Sequence, residues 1–362
     1  SMLLSALGTS SANVALPTLT QAFGASLTEV QWVVVAYLLA ITTAIVGAGR
    51  LGDMTGRRRL LSCGLLLFTA ASALSAVAPT LWLLILARGA QGIGAAAMMS
   101  LTIAFVGDTV PKARAASTMG LLATMSAVGT ALGPSLGGLL ISNFGWRSIF
   151  LINVPLGLAA VALAAFCLPK DRPSTKAREF AFDVPGAVLL AFALAAYALS
   201  MTFGRGSFGL ANAALLLAAA LGMAIFARVE QTAPAPLVSI DMLRNPQLGP
   251  ALAASTLVST VMMATLVVSP FYLSRALALD AAQVGIVISV GPLVVALTGV
   301  PAGLVADRIG TRRVMLAGLV AIATGAALLY ALPAVHGVPG YVVPLVVVTA
   351  GYALFQTANN AE

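Results

Sequence analysis

Residues 49–59 read Gly-Arg-Leu-Gly-Asp-Met-Thr-Gly-Arg-Arg-Arg, and residues 303–313 read Gly-Leu-Val-Ala-Asp-Arg-Ile-Gly-Thr-Arg-Arg. Gly49, Asp53, Gly56, Arg58 and Arg59 are matched by Gly303, Asp307, Gly310, Arg312 and Arg313, each 254 residues further on. Both copies follow one long apolar run and precede another, which makes each a tight charged turn between two membrane helices. Glycines at fixed spacing suit a short turn where backbones approach closely or φ is positive. The acid stands one turn from a basic cluster with which it can pair. One copy alone would read as an ordinary basic turn at the lipid surface; two in register mark a chain built from two related halves.

With 60% hydrophobic and 8% charged residues, the chain departs from soluble domains, in which about a quarter of residues are charged. It is an integral membrane protein. Apolar runs of about twenty residues recur, the length a helix needs to cross a bilayer, and not the alternating strands of about ten residues that build a barrel. Twelve spans are expected, over 1–16, 29–49, 60–78, 81–105, 116–141, 146–168, 184–203, 209–228, 248–273, 281–305, 313–333 and 340–362. The net charge of +8 does not point to nucleic acid, because the basic residues are spread over short loops. With the turn at Gly49 in the cytoplasm, fifteen of the nineteen Lys and Arg residues fall on that side; Arg147, Arg205 and Arg275 fall on the other, and Arg88 lies within a span. That bias orients the chain with its amino terminus inside. Trp32, Trp82 and Trp146 open spans 2, 4 and 6 on the outer side and read as an aromatic belt. Alternatively Trp32, beside Gln31 and before Tyr37, lines a substrate path. Cys63 and Cys167 lie in apolar runs and are expected as free, buried thiols. Ser1 opens directly into a span, with no cleavable signal and no basic leader, as in a trimmed amino terminus.

A charged stretch at 170–183 and a Pro-rich stretch at 231–247 divide the chain. They delimit an N-terminal six-helix bundle over 1–169, a cytoplasmic linker over 170–183, an inserted two-helix hairpin of mostly Ala and Leu over 184–230, a linker over 231–247, and a C-terminal bundle over 248–362. Six spans of about thirty residues would put the second turn about two hundred residues after the first. The longer offset leaves room for the hairpin. The first copy precedes four spans before the linker and the second only two, so two more spans are expected beyond the end of this chain.

The duplicated turn resembles the cytoplasmic turn between spans 2 and 3 of the major facilitator superfamily, and its echo in the second half. Span 5 carries Gly129-Thr-Ala-Leu-Gly133-Pro134-Ser-Leu-Gly137-Gly138, and Gly145-Trp-Arg-Ser-Ile-Phe-Leu-Ile-Asn-Val-Pro155 follows. These resemble the antiporter signature and the start of span 6 in the family's fourteen-span drug-efflux branch. The resemblance implies an all-α integral membrane protein with the major facilitator fold: two pseudo-symmetric six-helix bundles plus the inserted hairpin, with the last two spans missing. It implies a secondary active transporter that exports amphipathic organic compounds or drugs from a bacterial cytoplasm by proton antiport and alternating access. Export of a dedicated metabolite such as a siderophore, sugar or amino acid is the alternative. The resemblance further implies a cytoplasmic latch on Gly49, Asp53, Gly56, Arg57, Arg58, Arg59, Asp307 and Arg312. It implies a multi-pass monomer of the inner membrane that acts on small molecules and protons, needs no cofactor, and leaves a periplasmic adaptor open as a partner.

In span 5, glycines every fourth residue let another helix approach, and Pro134 removes a backbone hydrogen bond, so the helix can bend. Arg88, in Leu86-Ala-Arg88-Gly-Ala-Gln91-Gly92-Ile-Gly94, is the one basic residue well inside a span. Its charge is costly there unless it meets the bundle interior, water or a partner; snorkelling to the surface is the other reading. The family match links Arg88, with Gln91, to proton coupling. In span 1, Gly8 precedes the run Asn13-Val-Ala-Leu-Pro17 at the position where fourteen-span members commonly carry an acid. That leaves Glu362 as the acid away from loops and helix edges, so coupling is expected to use Glu362, a group in the missing spans or a nonstandard relay. Gln356 and Asn360 share a helix face with Asn359 beside them. With Asn13, Trp32 and Tyr37 they form the expected substrate cavity, although such amides equally serve as glue between helices. Met98, Met99, Met125, Met262 and Met263 read as core filler more readily than as cavity contacts. His336 stands alone in a loop, and the sequence carries no metal, nucleophile or nucleotide-binding constellation. An enzyme is therefore not expected, and the energy source should be an ion gradient.

Overall fold

The computed structural model describes residues 1–109, 112–168, 171, 183–202, 209–233, 237 and 248–359. Regular structure among them is helical: α1 (Met2–Phe23), α2 (Leu27–Thr55), α3 (Arg57–Val77), α4 (Leu81–Thr109), α5 (Lys112–Phe144), α6 (Ser148–Leu151), α7 (Asn153–Cys167), α8 (Val184–Thr202), α9 (Leu210–Thr232), α10 (Leu248–Arg275), α11 (Ala281–Ile309), α12 (Thr311–Ala331) and α13 (Pro333–Asn359). Among the described residues, eleven helical stretches are long and apolar enough to cross a membrane. The expected first span is not one of them, because serines, threonines and Asn13 dilute the apolar content of α1. Span 6 is broken into α6 and α7, where Pro155 has no N–H to offer the Leu151 carbonyl. Within α13 the backbone kinks at Gly337, φ 60°.

The duplication is visible in the backbone. Helices α2 and α11 are both 29 residues long and α3 and α12 both 21, and each second copy starts 254 residues after the first. Both α2 and α11 open on capping boxes. Ser26 Oγ accepts from Glu29 N while the Glu29 carboxylate accepts from Ser26 N at 2.8 Å, and Asp280 and Gln283 exchange the same pair at 2.8 and 3.1 Å. Both helices end at a glycine in positive φ, Gly56 at 104° and Gly310 at 92°, where a side chain would be strained.

Contacts group the chain into two units: residues 1–5, 18–122 and 146–243 in the first, and residues 6–17, 123–145 and 244–362 in the second. In the first, α4 packs on α2 and α3, α3 on α7, and α8 on α9. Its core gathers Leu4, Tyr37, Leu65, Phe68, Met98 and Leu101. In the second, α13 packs on α11 and α12, and α10 on α11, around Ile288, Tyr341 and Leu345 and around Val258, Ile322 and Phe355. Small residues make these contacts, as expected where lipid is as apolar as the protein interior. A Cβ on Gly94 would stand 2.7 Å from backbone atoms of Gly64 and Phe68, and one on Gly318 would stand 2.7 Å from those of Gly351 and Phe355.

Three expectations need correction. Cys63 and Cys167 are free thiols but exposed, because an apolar run in this medium can turn any face outward. Trp146 is buried against Phe23 and Phe150, with ring centroids 5.3 and 6.3 Å away. Trp32 donates its indole N–H to Thr202 at 3.1 Å. Of the three tryptophans only Trp82, 76% exposed, has the accessibility that a belt needs. The hairpin is also less plain than its composition suggests. Asn212 donates to the Ser200 carbonyl at 2.7 Å and accepts from Gly209 N at 3.0 Å. Glu230 lies at a helix edge as expected, in the last turn of α9, but it is buried, and a Cβ on Gly186 would meet both its carboxylate and that of Asp183.

Candidate functional site

In the first unit the site is built around a seam. On α4, Gly92 faces α2 so closely that a Cβ would strike the Tyr37 carbonyl, while Gly94 faces α3. The two glycines draw three helices together and leave Arg88 and Gln91 no route to solvent; both are fully buried. Arg88 Nε donates to the Val33 carbonyl at 2.9 Å and Nη1 to Gln91 Oε1 at 2.6 Å. Gln91 Nε2 continues the chain to Ser72 Oγ at 2.7 Å. The guanidinium lies 4.0 Å above the Tyr37 ring and 5.9 Å from that of Phe150, an aromatic enclosure worth about 2 kcal/mol to a desolvated cation. The Tyr37 hydroxyl is tied back to the Ser5 carbonyl at 2.9 Å. Among the described residues no carboxylate pairs with Arg88, and its Nη2 has no hydrogen-bond partner. Arg88 therefore does not snorkel; it is a buried charge held by carbonyl, amide and ring faces.

At one end of the same unit lies the turn at Gly49–Arg59. Asp53 closes an ion pair with Arg57 at 2.7 Å across Gly56, and Arg57 Nη1 also donates to the Ala104 carbonyl of α4 at 3.0 Å. Arg58 reaches the Ala165 carbonyl of α7. A residue that the sequence reading missed completes the turn: Asp171, at the start of the charged linker, accepts from Arg58 N at 2.8 Å and Arg59 N at 3.1 Å. Its carboxylate caps the positive end of α3. Gly56 suits the turn through its φ of 104°, which a side chain would strain, and a Cβ there would also crowd that carboxylate. The readable signal was an acid just beyond span 6 together with a helix, α3, whose cap residue has no side chain. In the second copy Arg312 is exposed, and Thr311 stands where Arg57 stands in the first. The side chain of Asp307 lies outside the described residues.

The second unit is organised on α5. Ser10 Oγ of α1 donates to the Gly129 carbonyl at 3.2 Å; Gly133 abuts Ser10, and Gly137 lies against Ser11. On α11, Gly285 presses on Pro134, where a Cβ would strike the carbonyl oxygen. Gly138 is buried with them. Beside this contact opens a cavity of about 590 Å³ between α5, α10, α11 and α13. Gln356 lines it, as do Met262 and Met263, read from sequence as core filler. The other expected cavity residues do not line it. Asn13 is buried and donates weakly to Thr9 O at 3.4 Å, and Asn359 donates to Ser255 Oγ at 3.0 Å. Trp32 and Tyr37 belong to the first unit, whereas Asn360 and Glu362 lie outside the described residues. The hydroxyl-bearing residues Ser126, Thr130, Ser259, Thr265, Ser269, Tyr341, Thr349 and Tyr352, which also line it, were not foreseen.

Comparison with known proteins follows the same outline. The family model described as Major Facilitator Superfamily matches residues 1–361. The chain is 35% identical over 352 residues to "Uncharacterized transporter YebQ" of Escherichia coli (strain K12), covering 96% of this chain and 76% of that one. It is 33% identical over 316 residues to "Multidrug resistance protein Stp" of Mycobacterium tuberculosis (strain ATCC 25618 / H37Rv), covering 86% of this chain and 58% of the relative. Among solved structures, the crystal structure of a D-xylose-proton symporter superposes with a TM-score of 0.65 at 13% identity, covering 98% of this chain and 78% of that one, which is likeness of fold alone.

Proposed function

The chain belongs to the major facilitator superfamily and is a multi-pass membrane transporter, not an enzyme; on that premise we propose that it exports amphipathic organic compounds by proton antiport. The observation that carries the reading is the cavity of the second unit, large enough for a drug-sized molecule and floored by two adaptable thioethers. The name of the mycobacterial relative supports drugs as cargo. In this reading Arg88 and Gln91, with Glu362, handle the coupling proton, the bending helix from Gly129 to Gly138 moves during alternating access, and the duplicated turns latch the cytoplasmic side. One proton descending about 100 mV supplies about 2.3 kcal/mol, and one pH unit adds about 1.4 kcal/mol. Together these sustain a gradient of several hundredfold. The reading also places the protein in the bacterial inner membrane as a monomer of the fourteen-span branch, with its amino terminus inside. Its bundles are those over 1–169 and from 248 onward, with the hairpin at 184–230 inserted.

The test is accumulation of dyes and antibiotics in cells expressing the complete gene, with and without a protonophore. Lower accumulation that disappears when the gradient collapses is the expected result; lower accumulation that survives collapse would contradict proton exchange. Export of a dedicated metabolite is the second reading. What favours it is that no described residue lining the cavity carries a charge to attract a cationic drug.

A further inference from the structure

We propose that the cavity of the second unit binds an uncharged amphiphile bearing hydroxyl or amide N–H donors, and that lipophilic cations without such donors are not its ligands. The inference rests on the exporter reading for the role of the cavity, but its chemistry comes from the lining alone. A serine or threonine in a helix has one proton, and here most of those protons are already committed. Thr130 donates to Ser126 O at 3.0 Å, Thr265 to Val261 O at 2.8 Å and Thr349 to Leu345 O at 2.7 Å. Ser269 donates to the Thr265 carbonyl, so in the Ser269–Tyr341 hydrogen bond the tyrosine is the donor. With their protons committed, these five groups can offer the cavity only lone pairs, beside Ser126, Ser259, the Tyr352 hydroxyl and the Gln356 amide, which can donate as well as accept. Against them lie the apolar bodies of Met262, Met263 and Leu345. A cavity of that kind rewards a molecule that brings its own donors and an apolar frame. Its described lining offers a permanent cation no carboxylate to offset the loss of its hydration.

The discriminating measurement is equilibrium binding of three radiolabelled probes to the full-length protein in lipid nanodiscs, without a gradient. Chloramphenicol is uncharged and carries two hydroxyls and an amide N–H; its diacetyl derivative keeps the frame with both hydroxyls masked; tetraphenylphosphonium is a cation without donors. The expected order is chloramphenicol tightest, the diacetyl derivative weaker by about tenfold, and tetraphenylphosphonium weaker still, since each unmet buried acceptor costs affinity. Thr265→Val and Thr349→Val, which keep side-chain volume, should each weaken chloramphenicol about fivefold and leave the diacetyl derivative within about twofold. Equal or tighter binding of tetraphenylphosphonium overturns the proposal, and its loss in Glu362→Gln would assign the deciding charge to that carboxylate. Chloramphenicol binding insensitive to both threonine variants overturns it as well. The expected binding pattern without gradient-driven export in the companion assay would uphold the cavity's chemistry while removing the exporter reading.

Discussion

In the first unit a full positive charge is fully buried with no described acid beside it; in the second, a cavity is lined by neutral hydroxyls and an amide. The seam at Arg88 is closed by glycines, which leave backbone against backbone, and each polar group there has a fixed partner except Nη2. The cavity instead borders Gly291, where a Cβ would meet only the Thr349 methyl, at 3.1 Å, and leucine carbons farther off. Tyr352 there makes no hydrogen bond among the described residues. The contrast teaches that charge and volume are kept apart along the chain. Arg88 and Gln91 of the proposed proton path are fully buried, and proposed substrate binding sits where no described lining residue carries a charge.

The difference can be broken most sharply at Gly94. Gly94→Val forces a side chain onto the backbone of α3 and should cost about 3 kcal/mol or more, read as loss of a monodisperse, thermally cooperative protein in detergent. The tolerant counterpart is Gly291→Ala, which should unfold within a few degrees of the parent. A smaller effect is expected at the turn. Asp171→Ala removes the cap of α3 and should cost about 1 kcal/mol, whereas Asp53→Asn, breaking an ion pair whose acid is 45% exposed, should cost a few tenths. Thermal unfolding of the two variants side by side checks that order. Smallest of all, Met262→Leu should leave stability within about 0.5 kcal/mol while shifting probe affinity a few-fold, measured by the same nanodisc binding assay. A large stability loss there would mean the methionine packs a core and not a cavity.

Much of the fold was legible because its signals are local and repeated. The Gly56 and Gly310 turns, the apolar runs between them and the Leu86–Gly94 run announce themselves within a dozen residues. What escaped needed tertiary knowledge. Asp171 caps a helix 112–113 residues away, and no local pattern tells a capping acid from a solvated one. The cavity hydroxyls are serines, threonines and tyrosines spread over three helices, α5, α10 and α13, each ordinary in its own segment. Trp146 and the two cysteines were misplaced for one reason: helices that meet lipid are apolar all round, so periodicity does not distinguish the face toward the core from the face toward the bilayer.

The separation of charge from volume is tested most directly at Arg88. Arg88→Lys keeps the charge but gives up the fork that joins Val33 to Gln91. In the full-length protein, chloramphenicol affinity and gradient-driven efflux from reconstituted vesicles should be measured on the same preparation. The account predicts that efflux falls by about tenfold or more while affinity stays within about twofold. Affinity and efflux falling together, or efflux unchanged, would contradict it.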